Sequence, residues 1–170
     1  MTVILRAIAL FLLGAATVYA IERWTLHPLR CTHTASTGAA VLEHGNPADY
    51  RTRRTAHQLR IDLEDCRCVS PPNVGIPMTR AAVAEVDGNR VAAIAEYQNA
   101  LRIDRRPEIY FQLGLLQHET GNDHDAMNNL VRACAFNPAL LADIPDEALR
   151  INIQRRVRGE YGEDWIRKNR

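Results

Sequence analysis

Four residues in the first half of the chain carry side chains that can bind metal or form covalent links: Cys31, His33, Cys66 and Cys68. Three thiolates and one imidazole form a recognised ligand set for tetrahedral structural zinc. The spacing argues against zinc, because C-T-H and C-R-C leave one residue between paired ligands, whereas zinc sites usually leave two to four. No Cys-x-x-Cys or Cys-x-x-Cys-His motif for redox chemistry or haem attachment is present in the sequence. We predict no metal ligands, and a metal-binding or redox protein remains the alternative.

Elsewhere the sequence offers little catalytic chemistry. It has no evident set of nucleophile, base and orienting group, no phosphate-binding glycine loop and no paired catalytic carboxylates. The formal net charge of +1 gives no overall attraction for nucleic acid. We therefore predict a protein that is not an enzyme, with no cofactor, no small-molecule substrate and no nucleic-acid partner. The run Arg51, Arg53 and Arg54 indicates a solvated helix face, or else a contact for lipid headgroups or an acidic partner.

The N-terminal segment 3–24 is predominantly apolar, and residues 7–21 are fifteen positions without a charge. A membrane-spanning helix needs about 20 residues and a signal-peptide core about 7–15. If Arg6 extends its charge to the interface, 3–24 is long enough to span. We predict a single-pass anchor in a bacterial inner membrane, contacting the membrane through 3–24, with the C-terminal domain in the periplasm. The alternative is cleavage after Ala20, which would give a soluble secreted protein.

An internal periodicity predicts the fold of the central region. Counting from Gly88, alanine, tyrosine and alanine lie five, nine and twelve residues on, and from Gly121 alanine, leucine and alanine lie at the same offsets. Tyr110, Leu113 and Gly114 precede Gly121 by eleven, eight and seven residues. This pattern resembles the tetratricopeptide repeat, a helix–turn–helix unit of about 34 residues. The resemblance covers residues 74–140 as two units and implies an α-solenoid of antiparallel helix pairs.

The repeat gives two of the glycines a physical role. Gly114 lies inside the first helix of the second unit, where a side chain would push the facing helix away. Gly121 ends that helix, at a position that favours a left-handed backbone conformation. Asn122 or Asp123 is then available to cap the next helix.

An earlier, degenerate helix pair is predicted within 25–73. Cys66 falls in the register of Ala100 and Ala133, so 48–68 is interpreted as a second helix, with a short first helix over 36–44. In an antiparallel pair the start of the first helix lies beside the end of the second, which brings Cys31 close to Cys66 and Cys68. We predict a Cys31–Cys66 disulfide, because Cys66 faces inward, and Cys68 remains the alternative partner.

The complete prediction is an all-α chain with five segments. Leu149, Ile153 and Val157 recur at helical spacing and indicate an amphipathic helix that closes the stack. The segments are an N-terminal transmembrane helix (1–24), a linker with the degenerate pair (25–73), a short solenoid of two tetratricopeptide-like units (74–140), a C-terminal capping helix (141–158) and a tail (159–170).

The resemblance also implies a function, since these repeats hold peptides or partner surfaces in the concave groove lined by their first helices. The groove-facing candidates are Met78, Ala82, Glu85, Phe111, Gln112, Leu115 and His118. Phe111 and Leu115 share one helix face and are predicted to anchor a partner, unless the closing helix covers both. We predict a membrane-anchored adaptor or accessory subunit of a bacterial envelope assembly, whose partner is another protein or a larger membrane complex.

Overall fold

The computed structural model describes residues 2–43, 48–69 and 72–162. Within these ranges the chain forms eight α-helices and no strand, as an all-α sequence pattern predicts. The helices are α1 (Thr2–Ile21), α2 (His27–Glu43), α3 (Tyr50–Asp62), α4 (Gly75–Val86), α5 (Arg90–Ile103), α6 (Pro107–Glu119), α7 (Asp123–Phe136) and α8 (Glu147–Tyr161). A π-helical segment (Glu22–Leu26) joins α1 to α2, and 3-10 segments follow α3 (Glu64–Cys68) and precede α8 (Pro138–Asp143).

Two helical hairpins, α4–α5 and α6–α7, form the middle of the stack. Each turn contains a glycine in the left-handed region, with φ of 73° at Gly88 and 80° at Gly121, which confirms the role predicted for Gly121. Asn89 caps α5 by accepting a hydrogen bond from the backbone N–H of Ala92. In the second turn Asn122 is the capping residue, but its side chain bonds Asp125 and leaves the helix end without a side-chain cap.

The close approach predicted at Gly114 is also confirmed. A Cβ atom built on Gly114 would lie 2.7 Å from Cγ of Leu130, on the facing helix α7. A carbon–carbon contact that short is repulsive, so the hairpin can close this tightly only because residue 114 lacks a side chain.

The core is a series of hydrophobic clusters along the stack, which gives the fold its solenoid-like character. One cluster joins α6, α7 and α8, and a second joins α4, α5 and α6. Leu101 packs against both clusters and makes the core continuous from α4 to α8. Smaller clusters fasten α2 and α3 to α4, and the buried hydroxyl of Thr79 lies 2.9 Å from the carbonyl oxygen of Ala35 on α2.

The disulfide between Cys31 and Cys66 is present, and it links α2 to the 3-10 segment after α3. The first helix of this pair is longer than predicted, because α2 begins at His27 and includes Cys31 within the helix. The second helix begins at Tyr50, with Asp49 accepting a hydrogen bond from the N–H of Thr52. The 44–47 segment, which includes the predicted end of the first helix, lies outside the described residues.

The predicted membrane assignment is wrong. Among the described residues no helix has the length and apolar character needed to cross a membrane. The charge-free run 7–21 has fifteen residues, about 22 Å of helix against a hydrocarbon layer of about 30 Å. The helix then continues without a break into Glu22 and Arg23. The prediction extended the run by relying on Arg6 to reach the interface, and a single-pass inner-membrane location is not supported.

The last helix returns along the stack. After α7 the 3-10 segment Pro138–Asp143 carries the chain back, so that α8 begins beside the end of α6. Nε2 of His118, near the end of α6, lies 3.9 Å from Oδ2 of Asp146, the capping residue of α8. The buried face of α8 consists of Leu149, Ile153 and Val157, the residues predicted from the sequence.

Candidate functional site

The face predicted to anchor a partner is closed by α8. Phe111 is only 4% exposed and belongs to the same buried cluster as Ile144, Leu149 and Ile153, while Leu115 packs against that cluster. The prediction of Phe111 as an exposed anchor is therefore wrong. The amphipathic helix α8 must bury its own apolar face, and it packs that face against Phe111.

Apart from Phe111, the predicted groove residues are partly or fully accessible, although two of them, like Leu115, also pack against the core. Met78 packs against the α4–α5–α6 cluster and Ala82 against the cluster formed by α2, α3 and α4. Gln112 is exposed. Of the seven predicted groove residues, Phe111 alone is buried.

Glu85 is held by an internal hydrogen bond. The hydroxyl of Tyr97, on α5, donates to Oε1 of Glu85, on α4, over 2.6 Å. Burial raises the pKa of Glu85 above its ordinary value, against the opposing effect of the Tyr97 hydrogen bond. The pKa of Tyr97 is raised as well, first by burial and then by the neighbouring carboxylate. This pair joins the two helices of the first hairpin.

His118 also joins neighbouring helices. Its Nδ1 lies 2.9 Å from Oδ1 of Asp123, at the start of α7, in addition to the contact with Asp146. On the same helix the buried Gln117 accepts a hydrogen bond of 2.7 Å from Asn129 of α7. Both contacts join α6 to α7.

Three cavities follow one another along α5. Their volumes are about 380, 350 and 340 Å³. The first and second share Arg80 and Glu96, and the second and third share Val69, Asn73 and Ile103. We call this row of cavities the α5 trough; α4 supplies its floor, and α3 with the following 3-10 segment supplies its second wall.

The residues that α5 contributes to the trough have a regular spacing. They are Asn89, at the capping position, Ala92, Glu96, Asn99 and Ile103, separated by three, four, three and four residues. Side chains at this spacing form one continuous stripe, as in the contact seams of packed helices. Along the fourteen residues of α5 the stripe is about 21 Å long.

An ion pair crosses the middle of the trough. Arg80 of α4 and Glu96 of α5 lie 2.8 Å apart, and their side chains are 13% and 19% exposed. At one end the lining is largely apolar and includes Val69, Val74 and Ile103, beside Asn73 and Asp104. This site was not predicted from the sequence, although one residue indicated it. Arg80 precedes Leu113 by 33 residues, so a charge occupies a position where the second unit has a buried leucine.

The proposed zinc ligands do not fit the arrangement of the cysteines. Cys31 and Cys66 are joined to each other, which removes two of the four thiolate and imidazole ligands from that set. Across the part of the chain that the structure describes, no group of three or more histidine, cysteine or acidic side chains is placed to hold a metal ion. Cys134 is buried, and burial raises the pKa of its thiol to about 12, which keeps it protonated.

Comparison with known proteins gives no family assignment. No family model matches the chain, and neither a curated protein nor a solved structure matches it.

Proposed function

We propose that this chain is a protein-interaction module of the tetratricopeptide-repeat type, which binds a partner protein and catalyses no reaction. Two consecutive hairpins, each with a left-handed glycine in its turn, support the repeat type. The internal hydrogen bonds of Glu85, Gln117 and His118 have structural explanations, so the polar groups that stand out in the sequence need no catalytic role.

The observation that carries the proposal is the α5 trough. It combines an apolar end, a central ion pair and a helix-length stripe of regularly spaced side chains, and a protein segment matches that combination better than a compact small molecule does. The trough also replaces the first-helix face as the proposed contact surface, because α8 buries Phe111.

The disulfide supports an oxidising compartment outside the cytoplasm as the place of action, because disulfides persist in such compartments and are rare in reducing ones. An adaptor acting there fits the repeat architecture, and no membrane anchor enters the proposal.

The experiment compares two tryptophan substitutions one residue apart on α5. Asn99→Trp fills the trough, whereas Gln98→Trp places the same side chain on the exposed side of the helix. Cross-linking of the tagged full chain in its host, followed by mass spectrometry, should identify partners that the Gln98→Trp protein retains and the Asn99→Trp protein loses. If both variants are folded and recover the same partners equally, the trough is not the contact surface. The absence of any reproducible partner would count against the proposed function.

A further inference from the structure

The outward face of α3 is a second surface, separate from the α5 trough. Thr52, Ala56 and Leu59 are buried against the stack. The opposite side of the helix exposes the residues that we call the α3 basic face: Tyr50, Arg51, Arg54, His57 and Ile61. Tyr50 is 73% exposed and Ile61 is 56% exposed, so a large apolar side chain lies at each end of the face.

The charge of this helix stands out from the rest of the chain. Four arginines and one aspartate give α3 a formal charge of +3, whereas the whole chain has +1. Arg60 is paired with Asp87 at 3.3 Å. Among the described residues neither Arg51 nor Arg54 forms an ion pair with a carboxylate, so their positive charge is uncompensated within the fold.

We propose that the α3 basic face binds an acidic, amphipathic segment of a partner protein. Guanidinium groups pair with carboxylates through charge-assisted hydrogen bonds, and Arg51 and Arg54 have no carboxylate partner among the described residues. Tyr50 and Ile61 are eleven residues apart, about 16 Å along the helix, and provide the apolar contacts that hold a segment between them.

The arrangement favours a protein over the other anionic surfaces. A helix that lies in a membrane interface inserts a continuous apolar face, and the apolar face of α3 is already buried in the stack. Nucleic-acid sites depend on many phosphate contacts and an extended field, whereas this face has two uncompensated arginines between two apolar ends.

The α3 basic face is tested with substitutions that change no residue lining the α5 trough. The α3 variant is Arg51→Glu combined with Arg54→Glu. The matched control is Arg155→Glu combined with Arg158→Glu on α8, where the arginines are also exposed. Acidic side chains near the start of a helix are favoured by its dipole, so the α3 variant should melt no lower than the unmodified protein, and reduced binding cannot then result from unfolding.

The probe is a synthetic 16-residue helical peptide with leucines at three- and four-residue spacing and glutamates between them, measured by fluorescence anisotropy on the full chain. Loss of the Arg51 and Arg54 contacts should weaken peptide binding by roughly tenfold or more in the α3 variant, while the affinity of the α8 control should stay within about twofold of the unmodified chain. A lysine version of the peptide should not bind, and raising the salt concentration should weaken binding of the glutamate peptide.

Three outcomes would overturn the inference. One is no binding of the glutamate peptide to the unmodified chain, and another is equal loss of binding in the α3 variant and the α8 control. The third is tighter binding of phosphatidylglycerol vesicles or of a DNA duplex that disappears in the α3 variant, which would assign the face to lipid or to nucleic acid. None of these results alters the comparison of Asn99→Trp with Gln98→Trp.

Discussion

Gly114 lies close against Leu130 of the facing helix in the second hairpin. In Gly114→Ala the new methyl group would start 2.7 Å from Cγ of Leu130, and α7 would have to move. We expect a loss of about 1–3 kcal/mol in the free energy of unfolding, the usual cost of overpacking. Urea denaturation measures it.

Gly159 provides the matched control on α8, because no atom lies within 4 Å of a Cβ built there. Replacing a glycine inside a helix with alanine gains about 0.5–1 kcal/mol when nothing obstructs the side chain. Gly114→Ala and Gly159→Ala should therefore shift stability in opposite directions. A stabilised Gly114→Ala protein would show that the hairpin is looser than described.

Phe111 tests whether α8 belongs to the folded core. Because its side chain lies in the cluster with Leu149 and Ile153, Phe111→Ala should cost about 3–5 kcal/mol of stability. Thermal unfolding followed by circular dichroism measures the change. A variant that melts within a few degrees of the unmodified protein would indicate that α8 does not cover this face.

Glu85 should make stability depend on pH. Its folded pKa is raised above the ordinary value of 4.5, mainly by burial, so the ionised form is disfavoured in the folded state. The associated stability is fully present below pH 4.5 and is lost as the pH rises through the folded pKa. Glu85→Gln should remove this dependence, so the unmodified protein should lose stability relative to the variant as the pH rises from 4.5 through the folded pKa. Parallel curves of unfolding free energy against pH for the two proteins would contradict this role of Glu85.

Some residue roles followed from the sequence because their causes are local. A left-handed turn at Gly121 and a tight approach at Gly114 are constraints that one hairpin imposes on itself. The burial of Phe111 does not have a local cause. Either a partner protein or α8 could cover the apolar face of α6, and the residue spacing within α6 does not distinguish between them.

At the scale of the elements, the disulfide fastens the N-terminal helix pair. It closes a separation of 35 residues, and removing such a link costs about 3–4 kcal/mol in the chain-entropy account. Cys31→Ser with Cys66→Ser should lower the free energy of unfolding by that amount. Cys134→Ser is the control for a buried thiol outside the disulfide, and reduction should not change the stability of the double variant.

The length of α2 shows where element prediction failed. Its repeat signature is weak, and the pattern placed the helix start nine residues too late. The cysteine pairing was nevertheless correct, because the disulfide depends on which ends of the two helices are adjacent and tolerates an error in helix length.

For the whole molecule, we expect unfolding in more than one step once the disulfide is reduced. Each part of a stack is stabilised mainly by its neighbours, and the large clusters lie between α4 and α8. Under reducing conditions the backbone amide hydrogens of α2 and α3 should therefore exchange with solvent before those of α6 and α7. Equal exchange rates for the amides of all four helices would show that the stack unfolds as one cooperative unit.

The reversed course of α8 bears on how such a chain can lengthen during evolution or by engineering. Since α8 begins beside the end of α6 and covers Phe111, a hairpin appended after Phe136 would compete with α8 for the surface on which it must grow. A duplicated hairpin would have a compatible surface in the interior of the chain, at the Asp104–Arg106 connection between α5 and α6, where the first hairpin packs on the second. Longer descendants or designed variants should therefore carry their additional hairpins as internal insertions, with the last helix kept at the carboxyl end.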